Sequence, residues 1–234
     1  MHAWQLSDFS PATLFARHES VESHELIKRV AQPASLTISQ EYGPVKVKGW
    51  DKEYISIRTV QKGSKEQLEN TNVMLDKSKL PHELTCTVSA KDAQKNIAEV
   101  SITAEVPFTC NVTINSTQGP IKTKRLLTQS ISSSDGRIEI HVDKFTVDSA
   151  IFVHNKRGSI TLVAPKKIQA HLTASTFRGS VFSELFVTLE PFTTLLNRDY
   201  WQLVKKEVHG TLGDGGAPIT LEAENGDIKI VAKK

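Results

Sequence analysis

The chain has 234 residues, 38% of them hydrophobic and 24% charged, and its 29 basic and 26 acidic side chains leave a net charge of +3. This is the composition of a soluble globular chain with room for one large core or two small ones, which excludes disorder. The basic residues are scattered and no apolar run nears the ~18–20 residues of a membrane span, so the sequence points to neither a nucleic-acid partner nor a membrane span.

In chain order, residues 1–33 read as a lead-in or capping segment, irregular or partly helical around Leu14, Phe15, Val21, Leu26 and Ile27. With Asp8, Glu19, Glu22 and Glu25 the segment holds no apolar signal core, and as it stands it implies a cytoplasmic chain. Residues 34–234 read as one β-strand-repeat domain. Short period-two runs separated by glycine turns mark it as all-β: Leu36–Ser39, Val45–Val47, Tyr54–Val60, Leu84–Val88, Glu99–Val106 and Cys110–Asn115. Ser64, followed by Glu66 and Gln67, predicts one short capped helix within residues 64–72. Cys86 and Cys110 fall in phase with apolar neighbours, so both thiols point inward, as free buried cysteines or as a disulfide between facing strands.

The strongest signal is a recurring element: glycine, any residue, a branched aliphatic, any residue, then usually another inward residue. Copies begin at Gly43, Gly119, Gly136, Gly158, Gly179 and Gly226, with Gly216-Ala-Pro-Ile-Thr-Leu as a variant one residue longer. From Gly119 to Gly179 the steps are 17, 22 and 21 residues, a solenoid period with insertions. Glycine tolerates the positive φ of a sharp turn, and the residues two and four beyond it face inward. One coil cannot bury that face alone, whereas stacked coils bury it against each other. The expected fold is a single-stranded β-helix-like solenoid in which Ile121, Ile138, Ile160 and Val181 line a common column. Residues 34–115 fit a hairpin-rich antiparallel sandwich equally well.

The strand ending Val45-Lys-Val-Lys-Gly-Trp-Asp51, the segment Lys65-Glu-Gln-Leu-Glu-Asn70, the Val106-Pro107 strand, the glycine repeats and the closing run from Gly215 to Ile230 together resemble the putative-adhesin family of bacterial β-strand-repeat domains of unknown function. The resemblance covers roughly residues 34–232. It implies a β-helix-like solenoid, a cell-surface or periplasmic place, and no established catalytic activity, and it supplies no catalytic residues.

Residues at equal offset from glycine become neighbours in such a stack, so Gln118, Asp135, Arg157 and Arg178 form a ladder. Asp135 and Arg157 are placed to pair, while Arg157 above Arg178 sets two like charges about 5 Å apart, relieved by solvent, by splaying or by a bound anion. Asp135, Arg157 and Arg178 are thus candidate ligand contacts, or else a solvated charged edge. Lys122, Glu139, Thr161 and Phe182 form an outward cross-strand ladder. Residues 184–209 break the rhythm and gather Phe186, Phe192, Tyr200 and Trp201. Of these, Phe192, Tyr200 and Trp201 are candidate partner contacts, or part of a cap over the open end of a solenoid. His141 and His171 lie out of phase with their inward neighbours and face solvent.

No metal-ligand spacing, nucleophile elbow or phosphate-binding motif occurs, and no cofactor is expected. Two functions follow. The first is a non-enzymatic scaffold or interaction module that binds a protein or glycan surface, or further copies of itself through its ends. The second is a carbohydrate-acting enzyme of the β-helix type. Against it, Asp135 and Glu139 share one coil and find no carboxylate at the same offset next door, while acid and base catalysis needs two groups at one bond.

Overall fold

The computed structural model describes residues 20–30, 32–76, 82–190 and 206–233. In chain order the elements are β1 (Ser20–Arg29), β2 (Ser35–Tyr42), β3 (Val45–Trp50), β4 (Tyr54–Gly63), α1 (Lys65–Asn70), β5 (Thr71–Asp76), β6 (Glu83–Ala90), β7 (Glu99–Pro107), β8 (Asn111–Gln118) and β9 (Ile121–Lys124). They continue with β10 (Thr128–Asp135), β11 (Ile138–His141), β12 (Ala150–Arg157), β13 (Ile160–Ala164), β14 (Ala170–Arg178), β15 (Val181–Ser183), β16 (Val187–Leu189), β17 (Lys206–Leu212), β18 (Ala217–Asn225) and β19 (Ile228–Ala232).

Two sheets enclose one core. Their orders are β1-β4-β7-β3-β9-β11-β13-β19-β15 and β16-β17-β14-β18-β12-β10-β8-β2-β6-β5. A rung is one strand of the second sheet followed, around a corner, by one strand of the first. Seven rungs stack with parallel pairing in the order β6–β7, β2–β3, β8–β9, β10–β11, β12–β13, β18–β19, β14–β15. Antiparallel strands cover the ends: β5 on β6, β4 and then β1 on β7, and β17 and then β16 on β14. The architecture is all-β and solenoid-like, and residues 34–115 belong to the same stack as the later repeats.

Three expectations need correction. Residues 20–29, read as irregular or partly helical, form strand β1, because pairing with the whole of β4 supplies a hydrogen-bond ladder that local preference does not foretell. Gly216 is not a copy of the repeat: it precedes β18 of the second sheet, whereas the other six glycines lead into strands of the first. The rungs also do not stack in sequence order, since β18–β19 lies between β12–β13 and β14–β15, and β2–β3 between β6–β7 and β8–β9.

The core is built of registered columns. Ile102, Val45, Ile121, Ile138, Ile160, Ile228 and Val181 follow one another in the first sheet, so the expected column exists with Ile228 inserted before Val181. Opposite it run Cys86, Ile38, Ile114, Ile131, Val153, Leu221 and Ala174, all buried. Mostly branched side chains stacked at the ~4.8 Å strand spacing fill the columns, with Val181 half-buried at the end. Cys86 and Cys110 are free and buried, and burial pushes both thiols up to about 12.

The corner from the second sheet to the first takes two residues, glycine and one other, in six rungs. Positive φ explains only part of it. A Cβ on Gly119 would lie 2.1 Å from the carbonyl oxygen of Gly43, one on Gly136 2.2 Å from that of Gly119, and one on Gly226 2.1 Å from that of Gly158. Gly136 has φ 141°, while Gly226 lies outside the positive-φ region, so the requirement common to all six is close approach of a neighbouring rung's backbone, the next corner in five of them and the Val100 carbonyl of β7 for Gly43. The opposite corner is free to vary, with residues 125–127, 142–149 and 165–169 in successive rungs, and this variation is the source of the uneven period.

Candidate functional site

The glycine corners build a continuous ridge. The backbone N–H of Gly43, Gly119, Gly136, Gly158 and Gly226 donates to the carbonyl of Gln118, Asp135, Arg157, Asn225 and Arg178 respectively, at 2.9–3.0 Å. The first inward residue after each corner repeats this, as in Ile138 to Ser159 and Ile160 to Asp227, both 2.9 Å. Hydrogen bonds between rungs therefore run unbroken round the turn. Beneath it lies a buried polar column three residues before each glycine: Gln40, Ser116, Ser133, Asn155 and Thr176, with Ala223 as the exception. Asn155 Nδ2 donates to the carbonyls of Gly136 (2.8 Å) and Gly158 (3.0 Å), Thr176 Oγ1 to that of Gly226 (3.0 Å), and Gln40 Nε2 to that of Val100 (2.5 Å). Asn155 and Thr176 thus give corner carbonyls a partner, and Gln40 gives one to a carbonyl near the start of β7. Sequence reasoning missed them; the signal was the polar residue at the same offset in five of six copies.

On the ridge the side chains run Tyr42, Gln118, Asp135, Arg157, Asn225, Arg178. Asp135 and Arg157 form an ion pair at 3.4 Å. The expected stacking of Arg157 on Arg178 does not occur: Asn225 is the register partner of both, because the β18–β19 rung separates them. Two strand spacings, about 9.6 Å, replace one, so no bound anion is needed to relieve the arginines. Phe192, Tyr200 and Trp201 lie outside the described residues. At the β14–β15 end of the stack Phe177, Phe182, Phe186 and Leu189 are exposed, Phe186 by 86%.

The two broad faces differ in chemistry. The outer face of the first sheet carries Lys46, Lys48, Lys122 and Lys124 in neighbouring register, with Lys48 paired to Glu105 at 3.6 Å and Lys122 to Glu139 at 2.7 Å. The outer face of the second presents hydroxyls and amides, among them Thr37, Thr85, Thr113, Asn115, Ser130 and Ser132. His141 also meets the Glu139 carboxylate. Hydrogen bonds from Lys122, then His141, hold the Glu139 carboxyl down at about 2. A group ionised so firmly does not donate a proton near neutrality, which removes Glu139 as a general acid.

That shift gives a stability prediction. With a depressed folded-state value, the stabilisation is complete above the unfolded value of about 4.3 and is lost as pH falls through about 2. Glu139→Gln is expected to lower stability by about 1 kcal/mol at pH 7, since the cluster is partly solvated. In urea unfolding at pH 7, 4 and 2 the gap between wild type and variant should close toward pH 2, and a gap independent of pH would refute the assignment.

A family model described as Toastrack DUF4097 matches residues 12–231. Among solved structures, a putative cell adhesion protein from Clostridium sporogenes superposes with TM-score 0.65 at 13% identity, covering 91% of this chain and 100% of that one. A putative adhesin from Bacteroides fragilis matches with TM-score 0.31 at 11% identity, over 90% of this chain and 97% of its own. The first likeness shows a shared fold. No curated protein matches the chain. Among the described residues no helix is long and apolar enough to cross a membrane.

Proposed function

The chain belongs to the Toastrack DUF4097 family, and from that membership we propose that it is a non-enzymatic, adhesin-like interaction module on a single-stranded β-helix scaffold with two rungs displaced from sequence order. The observation that carries this reading is the ridge. Inter-rung hydrogen bonds fix its backbone, and side chains of mixed polarity stand along it at strand spacing. Fixing these groups in advance lowers the entropy lost on binding, and repetition lets many weak contacts to an extended glycan or protein surface add up. The scaffold's job is to hold those groups in register. The fold is shared with a putative cell adhesion protein, which supports this reading, and a place at the cell surface belongs to the same proposal.

Biolayer interferometry of the full chain on immobilised polysaccharides and bacterial envelope fragments, with a parallel assay for new reducing ends, tests the reading. Saturable binding without product is expected, weakened several-fold by Arg157→Gln combined with Arg178→Gln and by added salt. Product release, or no binding to any surface, would overturn it. A mass that rises with concentration in light scattering, combined with ridge variants that bind normally, would move the contact to the ends of the stack.

A further inference from the structure

One rung departs from the two-residue corner. Between β6 and β7 the chain makes an eight-residue excursion, residues 91–98, beside the first glycine corners. The stack does not need it, since six other rungs turn with glycine and one residue. The excursion is pinned as a rigid wall. Asn70, 7% exposed at the end of α1, donates from Nδ2 to the carbonyls of Asp92 (3.1 Å), Lys95 (3.1 Å) and Asn96 (3.4 Å), and its Oδ1 accepts from Asp92 N–H at 2.9 Å. Thr71 Oγ1 accepts from Ala98 N–H at 2.8 Å, and Lys91 N–H donates to the Asn70 carbonyl at 2.8 Å. α1 itself is held by a capping box between Ser64 and Gln67.

Between this wall and the ridge opens a groove of about 660 Å³, lined by Tyr42, Gln118, Thr117, Glu41, Lys95 and Asn96 among others. Tyr42 and Gln118 are register partners on adjacent rungs, and Tyr42 is 39% exposed. Glu41 Oε2 accepts from Ala90 N–H at 3.3 Å, which holds the carboxylate in position. We propose that this groove binds a short, uncharged oligosaccharide, with the Tyr42 ring against the C–H face of a pyranose and the polar side chains of the groove around its hydroxyls.

The chemistry of the lining selects that ligand. A sugar hydroxyl both donates and accepts, and so do a side-chain amide and a hydroxyl, while a carboxylate accepts from two partners. The ring supplies contact area with a polar tip. One acid and one base among the lining side chains leave no net field to favour an anion or a cation. The volume falls within the ~300–1,000 Å³ of small-molecule sites, and both walls are ordered beforehand.

The proposal rests on the non-enzymatic reading above only for the exposure of this edge, and the test separates the two. Cellotetraose, chitotetraose and mannotetraose, each at ~10 mM, about tenfold above a millimolar Kd, are titrated into the isotope-labelled full chain while the side-chain amide signals of Asn96 and Gln118 are followed by NMR. At least one sugar is expected to shift them saturably. Tyr42→Ala should weaken that binding about tenfold or more and Tyr42→Phe little. Thr161→Ala, on the outer face of the first sheet and away from the groove, should bind the sugar like wild type. Silence with all three sugars, or equal affinity in Tyr42→Ala, overturns the groove proposal even if surface binding through the ridge persists. Shifts produced by a tryptic digest of serum albumin and by none of the sugars would assign the groove to a peptide and overturn it as well.

Discussion

Gly136→Ala is expected to cost about 2–6 kcal/mol, the sum of about 1–3 for overpacking and about 1–3 for a side chain forced into an unfavourable backbone region. The new Cβ would sit 2.2 Å from a backbone oxygen of the neighbouring corner, and the residue holds φ 141°. Neither partner is a flexible side chain, so relief requires prising two rungs apart. Gly226→Ala separates the two causes, since its Cβ would meet the Gly158 oxygen at 2.1 Å without positive φ. Chemical denaturation should find both variants strongly destabilised, with Gly136→Ala the worse. If Gly226→Ala were neutral, φ alone would explain the glycines and close approach would be refuted.

The second large effect belongs to the column of branched side chains. Ile160 is fully buried and has Ile138 and Ile228 as neighbours on either side. Ile160→Ala should cost about 2–5 kcal/mol, combining lost transfer energy with a cavity that rigid rungs cannot close. Thr161→Ala, one residue on and on the outer face, should stay within about 0.5 kcal/mol. Val181→Ala, at the end of the column with one registered neighbour, should fall between them. Urea midpoints with unchanged slopes would check the series. Equal losses at Ile160 and Thr161 would mean that the inward and outward assignments are wrong.

The repeat element was legible because its physics is local. A glycine corner followed by branched aliphatics at two and four residues states which side chains enter the core, and Ile121, Ile138 and Ile160 lie where that pattern puts them. Which rung touches which was not legible. The copies starting at Gly179 and Gly226 carry the same corner and similar inward residues, so nothing local tells a neighbour of Ile160 from a rung two places away. For that reason the arginine ladder failed at Asn225 while the adjacent pair Asp135 and Arg157 was placed together. The groove was hidden for another reason. Residues 91–98 carry no motif that marks them out, and the buried role of Asn70 depends on partners more than 20 residues away. The buried column led by Asn155 was passed over because polar type argued against an inward phase that the alternation itself indicated.

Placing β18–β19 between two earlier rungs has a consequence for how the molecule is made. During synthesis β14–β15 leaves the ribosome before the rung that will lie between it and β12–β13, so the two must wait apart or first pair wrongly. The solenoid therefore cannot grow by zipping upward one rung after another. The β18–β19 rung acts as a keystone, and its removal would leave a gap in the middle of the wall.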